Sequence, residues 1–427
     1  TLNLIVKFCC SYMKKLFLLL FIVCTASHFG QPFQKQPFHK RIYTQTFSIP
    51  GDSLSSVFYL YKIPYQNLVF IKDDNHYTAE LRLSLEVTDT NSNFVKREIK
   101  DWKIETGLFE MTNSRQTFAE GLIQLKLPEG SYDIMPFMTD KNSRELKLEN
   151  VRVDISGDEF IEPLIINSKK TDCEGQDFIQ LTNFENSLPF GNGQYDFIIP
   201  VYDIFKDEIS VTVLSHRDTV FDGKLNNSFL SDLTLIECEG KILLSDSGEG
   251  VRTRNFVLSG IGNKLKEGGF YIIVKDDEEK RYKKNVLWYD KPMSLQNPED
   301  AVKALINIEK EKVVDSLLDI GKEKIYLALV DYWKKKDPTP ATEYNELMYE
   351  FYSRVDYARK NFGSITGIIG DESDRGRIFI KFGKPDKIER SYNGKGKAVE
   401  TWIYNKQQRK FVFTDKGGTG EFSLESS

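Results

Sequence analysis

Glu80-Leu-Arg-Leu-Ser-Leu-Glu-Val87 is the stretch that decides the fold class. Leu81, Leu83, Leu85 and Val87 alternate with Glu80, Arg82, Ser84 and Glu86. That is the period of two of a strand with one face on a core and the other in water. Turn-rich segments close it at both ends, Asp73-Asp-Asn75 before and Asp89-Thr-Asn-Ser-Asn93 after. Short strands spaced by such turns predict an antiparallel, Ig-like β-sandwich over residues 41–156. Residues 157–290 read the same way, with their clearest strands at 197–201, 211–214 and 270–274.

An internal echo links the two halves. Leu127-Pro-Glu-Gly-Ser-Tyr-Asp-Ile134 matches Leu265-Lys-Glu-Gly-Gly-Phe-Tyr-Ile272. Each is an apolar residue, a glycine turn and an aromatic-led strand. Duplication produces this, and so does hairpin physics acting twice.

The chain has 427 residues, too many for one compact core, so several domains are expected. Hydrophobic residues make up 40% and aromatic residues 13%, enough for globular folding. The net charge of −5 comes from interspersed acids and bases, which argues against nucleic acid as a partner. Met13-Lys-Lys15 precedes the apolar run 16–23 and then Cys24-Thr-Ala-Ser27. A basic start, a short apolar core and small residues predict a signal peptide over residues 1–30, with Met13 as the true start. Cys24 is alternatively a lipidation site. No other segment is long and apolar enough to span a bilayer. Past this leader only Cys173 and Cys238 remain, both in Cys-Glu-Gly. In an oxidising compartment they either bridge or stand as two separate thiols.

Residues 293–427 change character. Asn297 and Pro298 start a helix whose apolar face holds Val302, Leu305, Ile306, Val313 and Leu317. Gly321 breaks it, and Ile325, Leu329 and Trp333 mark a second helix. Asp337-Pro338-Thr339-Pro340 predicts a third start. Pro338 holds Asp337 extended, so the chain turns sharply there. Thr339 is then the cap and Pro340 the first residue, leading into a face of Leu347, Phe351, Val355, Ala358 and Phe362. Ile378, Ile380 and Phe382 alternate with Arg377, Phe379 and Lys381, which reads as a strand. Gly383-Lys-Pro385-Asp386 is a turn, and residues 399–404 and 409–414 are further strands. The expected fold class is therefore mainly β and multidomain: two Ig-like antiparallel sandwiches, a helical connector, and an α+β unit of a helix on a short meander.

The order of motifs in this last third resembles the GWxTD-domain family of bacterial envelope proteins. It runs Asp337-Pro338-Thr339-Pro340, Asn345-Glu346, Tyr352-Ser-Arg354-Val355, Asp374-Arg375-Gly376, Gly383-x-Pro385-Asp386, Trp402-x-Tyr404 and Phe411-Val-Phe413. The resemblance covers residues 288–427 and implies an α+β fold and an envelope location. Within it Pro338, Pro340, Gly383, Pro385, Asp386, Trp402 and Tyr404 are expected to be structural members of the motifs. This sequence departs from the family's name motif in one stretch, Gly370-Asp-Glu-Ser-Asp-Arg-Gly376. Asp371 stands where the motif has Trp, and Ser373 where it has Thr.

Chemistry is sparse. The four histidines, His28, His39, His76 and His216, have no metal-ligand spacing, so no metal or cofactor is expected. No Gly-x-Ser-x-Gly elbow or phosphate-binding Gly-Lys-Ser/Thr loop is present. The best polar constellation is Asp337, Arg354, Asp374 and Arg375, with Gly376 beside them. It is either a recognition site for a carboxylate, peptide end or sugar, or an ion-pair cluster holding helix to sheet. In the second case Arg375 is expected to pair with Asp337 or an acid of the preceding helix. Trp402, Tyr404, Phe411 and Phe413 are either an exposed platform or a small core. The expectation is an exported, non-enzymatic protein of the periplasm or outer membrane, or a secreted one, that binds an envelope protein or glycan. The alternative is a hydrolase of envelope glycan or peptide using acids of the last domain.

Overall fold

The computed structural model describes residues 42–51, 53–140, 145–155, 162–246, 251–275 and 279–426. The expected leader with Met13 and Cys24 lies outside them, as does the expected seam at residues 156–157.

Four sheets stack face to face before the helices begin. The first contains Ile71–Asp73, His76–Asp89, Phe94–Thr106, Gly130–Asp140, Glu145–Lys147 and Val151–Ile155. Against it lies a three-stranded sheet of Tyr43–Ile49, Ser55–Pro64 and Phe118–Leu127. Next comes a seven-stranded sheet running from Ser228–Ser231 through Thr253–Leu258, Tyr195–Val201, Leu164–Cys173, Gln176–Leu181 and Lys241–Asp246 to Leu233–Cys238. The fourth has Ser187–Pro189, Ile209–Ser215, Asp218–Leu225, Gly268–Lys275 and Glu279–Leu287. Pairing is antiparallel except where Ser187–Pro189 runs parallel to Asn285–Leu287.

Side-chain alternation explains the stacking. Val57, Tyr59, Tyr61 and Ile63 join Leu81, Leu83, Leu85 and Val87 in the first core. Phe58 and Leu60, on the opposite face of the same strand, pack with Leu164, Ile166, Ile198 and Leu244 of the seven-stranded sheet. Ile165, Phe197 and Ile199 then point the other way, toward Val211, Val213, Phe270 and Ile272. Each fully buried Leu, Ile or Phe contributes about 1.5–3 kcal/mol relative to exposure. The two sandwiches are thus joined by an apolar layer of their own. Glu237 reinforces the joint, accepting from Trp102 Nε1 at 2.8 Å and Lys100 Nζ at 2.9 Å.

The echo sequences have matching geometry. Gly130 and Gly268 both have positive φ, 150° and 118°, and Tyr132 and Phe270 after them are buried. The two Cys-Glu-Gly sequences are also alike. Glu174-Gly175 and Glu239-Gly240 have φ of 53° and 82°, and 50° and 70°. Each connects two strands as a tight hairpin, where two positive φ angles match the strand twist. Cys173 and Cys238 form a disulfide across these hairpins, with Cα atoms 6.3 Å apart.

The helical part differs from expectation in three places. Asn297 does cap α1 (Pro298–Ala304), accepting from Glu299 N and Asp300 N. The single helix expected after it is two, because a 3-10 turn at Leu305–Asn307 separates α1 from α2 (Glu311–Leu318) and leaves Ile306 exposed. In α3 (Ile325–Lys334), Ile325, Leu329 and Trp333 are all buried. The next helix does not start at Thr339-Pro340. Asp337 accepts from Thr339 N in a local turn, and α4 (Glu346–Asn361) begins after Asn345, whose side chain accepts from Met348 N. Pro338 sits at a bend in that loop, and both it and Pro340 are exposed. Pro338 therefore turns the chain without leading it into a helix. The Thr339 hydroxyl instead donates to the Glu346 carboxylate at 2.5 Å, at the start of the helix that Asn345 caps. Leu347 consequently faces water, and Met348, Phe351, Tyr352, Val355 and Ala358 make the buried face.

The third correction concerns residues 378–382, which are helical and not a strand. Ser373 caps α5 (Asp374–Phe382), its side chain accepting from Gly376 N, and Asp374 sits in the first turn where the helix dipole favours an acid. Gly383, at φ 79°, ends it. The meander is Lys387–Tyr392, Ala398–Tyr404, Arg409–Asp415 and Phe422–Ser426, paired in sequence order. Trp402, Tyr404, Phe411 and Phe413 are core, each 2% exposed or less, with Phe379 of α5 packed on them.

Candidate functional site

The constellation expected from the sequence separates into three structural devices. Asp337 holds its own loop, as described above, and does not pair with Arg375. Pro338 and Pro340 belong to that same loop and are exposed. Arg354 on α4 reaches the end of α5, donating from Nη1 to the Ile380 carbonyl at 3.2 Å and from Nε to Glu350 at 2.7 Å. It lies against Gly383, whose missing Cβ leaves room for the guanidinium. The Gly383 carbonyl accepts from Tyr404 Oη at 2.9 Å. Pro385 is buried, and Asp386 accepts from Asn405 N at 2.6 Å, so the Gly-x-Pro-Asp turn is tied to the meander.

Asp374 and Arg375 tie α5 to the same sheet. Asp374 accepts from Leu424 N at 2.8 Å. Arg375 donates to the Gly420 carbonyl at 3.1 Å, approaches Glu400 at 3.4 Å and stacks 4.0 Å from the centre of the Phe422 ring. Glu400 also takes Arg390 Nε at 2.9 Å and Trp402 Nε1 at 3.2 Å. Burial pushes the Glu400 carboxyl up, but Arg390, Arg375 and the indole N–H outweigh it and hold the group below the usual range. Burial dominates at Arg375 and draws its guanidinium below the ordinary value, while Glu400 pulls it back up. Asp415 accepts from Gly418 N, Thr419 N and Gly420 N, shaping the glycine loop that receives Arg375.

The Gly370–Gly376 sequence is a device for close approach. A Cβ on Gly370 would lie 1.9 Å from the Ala358 carbonyl oxygen on α4. A Cβ on Gly376 would lie 1.8 Å from the Gly370 carbonyl oxygen. Ser373 closes the loop, donating to the Gly370 carbonyl at 2.7 Å while capping Gly376 N at 3.1 Å. The two glycines and the serine therefore press the loop onto α4 and deliver Asp371 beside Arg359.

Asp371 is 5% exposed, and its Oδ2 accepts from Arg359 Nε at 2.8 Å. Its Oδ1 is buried and meets no donor. It sits in the lining of a cleft of about 420 Å³ between α1 with its following 3-10 turn and the α4–α5 loop. Asn307 lines the same cleft and also keeps a buried Oδ1 without a donor, while its Nδ2 bonds to the Ala304 carbonyl. A larger groove, about 500 Å³, runs between α2 and α3, but none of its lining residues holds a buried polar atom without a partner. Among the described residues no cluster of His, Cys, Asp and Glu has the geometry to hold a metal, and no helix is long and apolar enough to cross a membrane.

The family model for the GWxTD domain matches residues 269–424. Residues 269–424 form a GWxTD domain. Its start takes in the last two long strands of the second sandwich, earlier than the change of character at residue 293. No curated protein matches the chain. In the GWxTD domain of this chain the name motif has a physical reading. Gly370 is required by contact with α4, Ser373 does the capping that Thr also performs, and Asp374 takes a dipole-favoured first-turn position. Only Asp371 is a change of chemistry, and it lies in the cleft.

Sequence reasoning missed Glu400, Asn307 and the Arg359–Asp371 pair. Glu400 had a usable signal. It shares the strand face of Trp402 and Tyr404, and a charge pointing into an aromatic core requires a buried cation. Asn307 and Arg359 had none, since their meeting depends on how α1 and α4 pack.

Proposed function

We propose that this protein is an exported, non-catalytic binding scaffold of the bacterial envelope, with the GWxTD domain presenting its recognition cleft. The observation that carries the reading is the use of charge in that domain. Arg354 holds α4 to α5, Asp374, Arg375 and Glu400 hold α5 to the sheet, Asp415 shapes the loop that receives Arg375, and the acid in the cleft, Asp371, is engaged by Arg359. Such fixed pairs suit recognition, whereas hydrolysis of a glycosidic bond needs two carboxyl groups facing one substrate. Export is supported by the Cys173–Cys238 disulfide, a bond that persists in oxidising compartments, and by the leader-like sequence after Met13. The apolar joint between the sandwiches supports a scaffold role, because it gives the domain a rigid mount.

Fractionation of the source cells tests this. The protein should be found in the periplasmic or outer-membrane fraction with no free thiol at Cys173 or Cys238. It should be retained by its own envelope material without creating new ends in the glycan or peptide. Cytosolic protein with two free thiols refutes the location. New reducing ends or new amino groups on incubation refute the non-catalytic reading in favour of a hydrolase.

A further inference from the structure

We propose that the cleft over Asp371 binds a neutral sugar through a pair of its hydroxyl groups. The inference rests on the recognition reading above and names its ligand class. Two buried oxygens, Asp371 Oδ1 and Asn307 Oδ1, lack donors and belong to residues lining one cavity. A buried acceptor without a donor is costly, and coincidence of two in one small cleft marks a place where donors arrive from outside.

Charge narrows the donor. The lining has three cations, Lys303, Arg359 and Arg377, and three acids, Asp300, Asp371 and Glu372, so it has no net preference for an ion of either sign. Groups that both donate and accept fit such a wall best. A hydroxyl gives one proton and offers two lone pairs. One of two neighbouring hydroxyls donates to Asp371 Oδ1, the other to Asn307 Oδ1, and both accept from arginine. Ile306 and Ile369 line the same cleft and are 50% and 54% exposed, providing apolar surface for the C–H face of a sugar ring. The two oxygens are shielded from water in the unliganded structure. A ligand reaches them by displacing rim side chains, of which Lys303 and Glu372 are exposed.

The test follows the Arg359 Nε–H resonance in the full-length protein by NMR. Maltose and chitobiose serve as neutral probes, glycylglycine as a zwitterion and inorganic phosphate as an anion. The expected result is a saturable shift with a sugar and none with the other two. Arg377→Ala, an exposed position that leaves the core intact, should weaken that binding several-fold, and Asp371→Asn by about tenfold or more. A shift with glycylglycine or phosphate and none with sugars overturns the proposal in favour of a charged ligand. Silence toward all four probes up to about 100 mM overturns it outright. Sugar binding unchanged in both variants places the sugar elsewhere and overturns it too. Failure of the envelope reading looks different: a cytosolic protein that still binds sugar in this cleft sinks the location and leaves this inference standing.

Discussion

Gly376→Ala is the substitution whose sign the structure reverses. Replacing glycine by alanine inside a helix ordinarily stabilises by about 1 kcal/mol. Gly376 lies in the first turn of α5, so propensity alone predicts a gain. The new Cβ, however, would stand 1.8 Å from the Gly370 carbonyl oxygen, 2.9 Å from its carbon and 3.1 Å from Asp371 Cα. All three are backbone atoms, and the loop that holds them is pinned to α4 by Gly370, so no flexible side chain can yield. Overpacking of this kind costs about 1–3 kcal/mol, and forcing the loop away also strains the Ser373 cap, worth about 1 kcal/mol. The sum is a net loss of about 1–3 kcal/mol after the propensity gain is subtracted. Hydrogen exchange read by mass spectrometry on peptides covering residues 370–382 suits a multidomain chain, where one global unfolding curve does not. Exchange there should speed up by roughly five- to hundred-and-fifty-fold. Gly107→Ala is the control, since nothing lies within 4 Å of its Cβ position and its φ is not positive. Slower exchange in Gly376→Ala refutes the close-approach argument.

Arg375→Ala should destabilise the GWxTD domain by about 2–3 kcal/mol, because Arg375 and Glu400 are both nearly buried and Gly420 loses its donor; an unchanged melting profile contradicts that. Removing the Cys173–Cys238 bridge, which closes a separation of 65 residues, should cost about 2–4 kcal/mol, seen as a lower thermal midpoint for the double serine variant. The Glu400 and Asp415 carboxyls are held low in the folded state, Asp415 by the N–H groups of its glycine loop against the upward push of burial. Their stabilisation is therefore fully present above the ordinary carboxylate values near about 4 and is lost as pH falls through the depressed folded values. Exchange in residues 398–415 should accelerate over that acidic range, and Glu400→Gln should flatten the dependence. Asp371→Trp, which puts the motif's residue into the cleft, should stabilise by about 1–2 kcal/mol, since it removes a carboxylate oxygen without a donor and buries indole surface. Arg359 is about a third exposed and loses little with its partner, so a destabilised Asp371→Trp protein shows that the carboxylate is structurally required.

What was legible in the sequence followed from period and caps. Glu80–Val87 announced a one-faced strand, and its four apolar residues are all buried in the first core. Asn297 announced a helix start and caps one. Thr339 before Pro340 carried the same signal and starts no helix, because Asn345 offers a competing cap six residues later and the chain already bends at Pro338. The four-layer stack was less accessible, though Val57-Phe-Tyr-Leu-Tyr61 is an unbroken apolar run of the kind a strand covered on both faces requires. The misreading of residues 378–382 has a specific cause. Ile378, Ile380 and Phe382 satisfy a period of two and, taken with Phe379, satisfy a helix almost as well, because five residues are too few to separate the periods. The deciding information lay upstream, in Ser373 followed by Asp374 and in the glycine three residues past the cap. Once Ser373 is taken as a cap, the motif ceases to be a set of residues facing a ligand. Gly370, Ser373, Asp374 and Gly376 become the means by which α5 enters against α4, and Asp371 and Glu372 are left lining the cleft beside α1. The same reasoning separates what a homologous domain must keep from what it is free to change. The glycines and the cap are fixed by backbone contact, whereas position 371 answers to whatever occupies the cleft. This chain carries Asp there, beside Arg359 and in one cleft with Asn307, whose Oδ1 also lacks a donor, and that hydrogen-bonding capacity is the feature of this domain most in need of a ligand.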